Sequence, residues 1–202
     1  MEGLIFFWIS WLFWIMATFF MKRGSEERFK LSLSLLLLII VSPIVISVSG
    51  FKLSLSSLYI YIVLFLFLSK HKGVTLLHIF FCSFIMTLAY ICFQIYEFFD
   101  PVWVVFPRNW MLSIIIVVLA ISLQVNKLFR IYILLLGMVQ GDFLYAIILK
   151  KYLFPYTVSS FSFLDVAALS TGLLVCWNSI EVIAQFFAKH YHQIEKQKQK
   201  LL

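Results

Sequence analysis

Residues 131–149 read IYILLLGMVQGDFLYAIIL, and this run decides the fold. Lys127 and Arg130 precede it, Lys150 and Lys151 follow it, and its one charged residue is Asp142. A hydrocarbon core takes about 20 apolar residues to cross as a helix, so the run is a transmembrane segment closed by charge at both ends. Six further runs share this design, at 3–21, 31–48, 53–69, 74–96, 110–126 and 164–188. The expected fold is all-α: a polytopic membrane helix bundle of seven transmembrane helices forming one domain over 1–188, followed by a basic cytoplasmic tail at 189–202. The third run opens on the polar Leu53-Ser54-Leu55-Ser56-Ser57, so the second and third also read as a tight hairpin that still makes two crossings.

Composition agrees. Hydrophobic residues make up 63% of the 202, charged residues 12%, and the mean hydropathy is +1.04; soluble domains lie near about 45–50% and 25%. The gaps leave no room for a soluble catalytic, nucleotide-binding or DNA-binding domain. The net charge of +7 does not point to nucleic acid, because the basic residues sit at helix ends and form no base-reading stripe. Cys82, Cys92 and Cys176 all lie inside apolar runs, so neither a disulfide framework nor a zinc site is expected. Only Met1-Glu2-Gly3 precedes the first run, which ends in Met21-Lys22-Arg23. That is the pattern of a retained first helix rather than a cleaved leader.

Lysine and arginine set the expected orientation. Lys22, Arg23, Arg28, Lys30, Lys70, Lys72, Lys127, Arg130, Lys189, Lys196, Lys198 and Lys200 fall on one side, and only Lys52, Arg108, Lys150 and Lys151 on the other. By the positive-inside rule the richer side is cytoplasmic. The N-terminus is then outside, the C-terminus inside and the number of spans odd. Trp8, Trp11 and Trp14 recur every three residues, and Trp103 and Trp110 belong to the outer loop Asp100-Pro101…Pro107-Arg108 and its end. Interfacial anchoring explains them; an aromatic cage for a cation is the alternative. Pro43 is expected to kink the second helix, with Ser42 and Ser47 placed to satisfy the freed backbone groups.

Ionisable residues inside a membrane are costly and mark candidate sites. Asp142 follows Gln140 and Gly141, and Gly141 permits close approach of another helix. Asn178, Glu181 and Gln185 share one face of the seventh helix. Counted from the inner ends at about 1.5 Å per residue, Asp142 lies about 17 Å deep, Asn178 about 15 Å and Glu181 about 10 Å. If the sixth and seventh helices are neighbours, Gln140, Asp142 and Asn178 form one interior cluster with Glu181 a turn below. No basic residue is expected at that depth, and Asp165 is expected at the outer interface. Two readings of Asp142 stay open: a hydrogen-bonded structural group, or a desolvated acid that takes up a proton or a cation.

Other chemistry finds no footing. Of the four histidines only His78 lies within a run, so a haem with matched axial ligands is not expected. There is no HExxH, no GxSxG, and no lysine in the seventh run before Lys189 to carry a retinal Schiff base. No catalytic residue, cofactor or metal is assigned. The expected partners are the lipid bilayer and, at the basic tail, a protein partner or anionic lipid.

The whole chain resembles the YphA-type family of small membrane proteins from Bacillus-like spore-forming bacteria. The resemblance rests on length, the seven-run layout, the opening Trp8-x-x-Trp11-x-x-Trp14, and Gly137-Met138-Val139-Gln140-Gly141-Asp142. It implies a bacterial cell membrane location and carries no activity. The expectation for function is a non-enzymatic multi-pass membrane protein with a structural or interaction role; the alternative is a small proton- or cation-coupled carrier using Asp142.

Overall fold

A computed structural model describes residues 2–22, 24–48, 50–69 and 73–201, with the side chains of residue 48 and of residues 190–201 outside the description. Arg23, Lys70 and Lys72, which entered the charge count, and the side chains of the basic tail therefore lie outside the described residues.

Seven α-helices form among the described residues: α1 Leu4–Phe20, α2 Glu26–Val41, α3 Leu55–Leu68, α4 Gly73–Phe99, α5 Arg108–Leu123, α6 Lys127–Lys151 and α7 Phe161–Leu201. Three of them, α4, α6 and α7 up to Lys189, are long and apolar enough to cross a membrane; α1, α3 and α5 are apolar but shorter. The chain is apolar inside and out. Met86, Leu112, Ile116, Ala120, Ile133, Leu134, Met138 and Leu174 are wholly buried, while Phe19, Phe20, Phe65, Val118 and Phe186 are exposed.

The second helix departs from expectation. It ends at Val41, and Pro43 stops it instead of kinking it. Proline has no N–H to offer the carbonyl of Ile39, and the Ser42 hydroxyl donates to that carbonyl instead at 2.9 Å. The chain then turns into β1 Val45–Val48, which pairs antiparallel with β2 Phe51–Ser54 through a turn containing Gly50 at φ +78°. Ser47 thus sits in a strand opposite Lys52. Branched Val45, Ile46 and Val48 favour the extended form once the helix is broken. β2 also pairs in parallel with β3 Thr157–Val158, from the α6–α7 connection. The second and third runs are therefore two helices joined by a hairpin. α2 rises about 24 Å and α3 about 21 Å, both short of the ~30 Å core. The polar start of α3 folds inward: Ser54, Ser56 and Ser57 are buried, and the Ser54 hydroxyl lies 2.8 Å from that of Ser56.

The hairpin marks one end of the bundle, where α1, α3, α5 and α7 begin and α2, α4 and α6 end. α6 packs most extensively against α4, and α7 against α5 and α1. α6 does meet α7, but over a smaller contact. Glycine explains the α4–α6 pairing. A Cβ on Gly141 would sit 2.8 Å from the Tyr90 ring, and one on Gly137 would sit 3.0 Å from the Ser83 carbonyl. Gly137 and Gly141 are one turn apart, a small-xxx-small stripe that lets two backbones approach. Trp103, in a short 3-10 turn at Pro101–Trp103, packs edge-on against Phe93 at 5.0 Å.

Candidate functional site

The interior polar residues fall into three separate groups. The first centres on Asp142, which is completely buried on α6 near the hairpin end. Its Oδ1 accepts from the Tyr156 hydroxyl at 2.5 Å and from the Tyr90 hydroxyl at 3.4 Å, and its Oδ2 accepts from the Ser159 backbone N–H at 2.6 Å. Ser159 holds φ +54°, a left-handed backbone that bends the α6–α7 connection inward. Burial, then the Asp142 carboxylate beside it, pushes the Tyr156 phenol far up, so Tyr156 stays a donor. The group continues outward. Gln94 Nε2 donates to the Tyr90 hydroxyl at 2.9 Å, and Arg108 Nη2 donates to Gln94 Oε1 at 2.5 Å. Arg108 also donates from Nε to Glu97 at 2.7 Å and from Nη1 to Ser162 at 3.0 Å. One chain of polar contacts thus ties α4, α5, α6, α7 and the connection before α7.

Gln140 is adjacent in sequence but turned aside. Its Oε1 lies 3.2 Å from the Thr87 hydroxyl on α4, and it lines a cavity of about 310 Å³ together with Leu53, Tyr61 and Phe143.

The second group holds Asn178 and Glu181, at the opposite end. Arg130 is buried there and donates from Nη1 to Glu181 Oε1 at 2.8 Å and to Asn178 Oδ1 at 3.1 Å. Its Nε donates to the Gln124 carbonyl at 2.6 Å. Asn178 Nδ2 donates to the Lys127 carbonyl at 3.3 Å, and the Trp177 indole donates to Glu181 at 2.7 Å.

The expected single cluster Gln140–Asp142–Asn178 is therefore corrected; Arg130 is buried, but at the opposite end of α6 from Asp142. α7 starts at Phe161, so Asn178 lies seventeen residues into it, about 26 Å along; Asp142 lies nine residues, about 14 Å, from the end of α6. The start of α7 is level with Asp142, since Ser159 bonds it, and Asn178 is level with Lys127, fifteen residues or about 22 Å away along α6, so the two differ in depth by about four turns. Asn178 instead lies opposite the first turn of α6, where Arg130 turns inward.

The third group is Asp165, expected at the interface but buried. Its Oδ2 and Oδ1 accept the backbone N–H groups of Gly3 and Phe6, each at 2.8 Å. The first N–H groups of a helix have no partner within it. A carboxylate satisfies them and favours the positive end of the helix dipole. Asp165 caps α1 from α7.

Among the described residues no group of three or more histidine, cysteine, aspartate or glutamate side chains is placed to hold a metal ion. His78 faces Cys82 of its own helix at 3.6 Å. The sequence reading missed Tyr90, Gln94, Tyr156, Ser159, Arg108 and Arg130. Two signals for the α4–α6 contact were present: the i, i+4 pair Tyr90 and Gln94, and the four-residue spacing of Gly137 and Gly141. Tyr156 and Ser159 carry no sequence signal, because the connection that holds them is positioned by β3.

Comparison with known proteins agrees with a membrane bundle. The model of a family described as YphA-like integral membrane protein matches residues 2–200. A relative from Bacillus subtilis (strain 168), the uncharacterized protein YphA, is 26% identical over 175 residues, covering 87% of this chain and 85% of the relative. No solved structure matches.

Proposed function

The chain belongs to the YphA-like integral membrane protein family, and from that premise we propose that it is a seven-span protein of a bacterial cell membrane with a structural or interaction role and no transport chemistry at Asp142. The observation that carries this reading is the saturation of Asp142 by three donors of its own chain. A carrier acid must exchange its partner for a proton or a cation. Here the carboxylate is occupied by three groups from two other elements, so releasing it would also release α4 and the α6–α7 connection. The other interior acids are engaged in the same manner, Glu181 by Arg130 and Asp165 by the start of α1.

The hairpin end faces outward in this reading and the C-terminus inward, in keeping with the lysine and arginine count. The short α2 and α3 cross together with their hairpin. β2 is paired on both sides, but the outer edge of β1 is open, so this reading places the hairpin in the headgroup layer, where that edge is hydrated. The basic tail after Lys189 is the place for a protein partner or for anionic headgroups.

A hydrophobic carbodiimide tests the role of Asp142, since it modifies protonated carboxyls reachable from lipid or a cavity. In native reconstituted protein Asp142 stays unlabelled and gains an adduct only on denaturation. Rapid native labelling at Asp142 would sink the structural reading and revive the carrier. Sidedness is read separately, from single cysteines placed at Lys52 and Lys127 and probed with an impermeant thiol reagent in intact cells. Only the one at position 52 is expected to react.

A further inference from the structure

Three of the four basic residues opposite the lysine-rich face, Lys52, Lys150 and Lys151, gather at the hairpin end, where the charge rule gives no reason for them. Lys52 and Lys150 line a cavity of about 220 Å³ between the hairpin, the last turn of α6 and the segment entering β3. Lys52 pairs across the sheet with Thr157, so both side chains leave the same face, and both line this cavity. The Lys150 ammonium lies 3.7 Å above the Phe51 ring, which fixes its position at the rim. The walls are completed by Phe154 and Tyr156, and no acidic residue lines the cavity among the described residues. α6 ends here, and the negative end of its dipole is offset by Lys150 and Lys151 in its last turn.

We propose that this cavity is a binding site for a phosphate group, with Lys52 and Lys150 as the cationic contacts and Thr157 as a hydroxyl donor. Its aromatic walls suit the glycerol portion of an anionic phospholipid, and the same chemistry would take free phosphate. The ligand would rest on Tyr156, whose hydroxyl is bonded to Asp142. Occupancy therefore braces the connection that closes the interior. The proposal uses the outward reading of the hairpin end only to assign the leaflet.

The test is a native mass spectrometry titration of the full chain, delipidated in mild detergent, with phosphatidylglycerol and with phosphatidylcholine. Detergent binding does not depend on sidedness, so a failure here is distinguishable from a failure of the topology. Wild type is expected to retain phosphatidylglycerol over phosphatidylcholine. Lys52→Gln is expected to weaken that retention about fivefold, the effect of one lysine at an anionic surface. Lys52→Arg is expected to restore it, and Lys22→Gln, at the other end, to leave it unchanged. Lys52 is exposed, and an unaltered helical circular dichroism spectrum keeps Lys52→Gln informative. Displacement of the lipid by millimolar inorganic phosphate supports the site with the free anion as its source, and lack of displacement supports it with the headgroup as its source. Equal retention of the two lipids, or unaltered phosphatidylglycerol binding by Lys52→Gln, would overturn the proposal.

Discussion

Replacing Asp142 with alanine and with asparagine separates a structural carboxylate from one that merely happens to be buried. Alanine removes both oxygens and leaves the Ser159 N–H without a partner in an enclosed position. An unsatisfied buried amide costs about 1–3 kcal/mol. The Tyr90 and Tyr156 hydroxyls lose their acceptor as well, and an interhelical hydrogen bond in a membrane protein is worth about 0.6 kcal/mol on average. The expected loss for Asp142→Ala is about 2–4 kcal/mol. Asparagine behaves differently. Its carbonyl can turn to accept from Ser159, and its amide can then donate to the two hydroxyls, because a phenol accepts as well as donates. Charge assistance is lost and the two phenol hydrogens lose their acceptor, but each group keeps one hydrogen bond, so Asp142→Asn should cost about 1 kcal/mol. Equilibrium unfolding of purified protein in mixed micelles with increasing SDS, followed by tryptophan fluorescence, measures both differences. The order expected is wild type, then asparagine, then alanine. Alanine as stable as wild type, or less costly than asparagine, would refute the reasoning, since neither outcome is compatible with an unpartnered Ser159 N–H.

The other groups make independent claims. Gly141→Leu places a branched side chain where even a Cβ would lie 2.8 Å from the Tyr90 ring; overpacking of this kind costs about 1–3 kcal/mol, and the same substitution at Gly172, whose nearest such approach is 3.7 Å to a flexible Ile9 methyl, is expected to cost clearly less in the same unfolding assay. Arg130→Gln and Glu181→Gln should show a coupling of about 1 kcal/mol or more in a double-mutant cycle, because Arg130 is buried and leaving one charge unpaired is expensive; additive losses would mean that the pair is solvated. Asp165→Ala uncaps α1 at a cost of about 1–2 kcal/mol, and hydrogen exchange should rise at the first amides of α1 while those of α4 stay protected; unaltered exchange at Gly3 and Phe6 would show that the cap is dispensable.

Much of the fold was legible because lipid imposes a simple length rule. Runs such as 131–149 and 74–96 became α6 and α4 with shifted ends, since a run of apolar residues bounded by charge has few other ways to satisfy its backbone. In sequence, Pro43 reads as a bend within one helix. Pro43 withdrew a donor, Ser42 took the freed carbonyl, and the following branched residues paired with Phe51–Ser54, a long-range choice that periodicity alone does not express. The candidate site was half legible. Asp142 and Glu181 stand out because charge is rare in apolar runs, but α7 continues well past Ala188, the inner end from which depth is counted in the sequence, so Asn178 falls beside Arg130 and not beside Asp142.

The sequence by itself determined that this is a membrane helix bundle, that Asp142 lies in its interior, and which face of α6 has room for a neighbour, because burial cost and side-chain size are local properties. Only the tertiary structure decided that the neighbour on α6 is chiefly α4, that Arg130 turns inward to Asn178 and Glu181, that Asp165 caps α1, and that Tyr156 and Ser159 close over Asp142. Those pairings join residues far apart in the chain. Their partners are set by which helix ends and connections meet at the same depth, a matter of geometry that apolar runs of nearly equal composition leave undetermined.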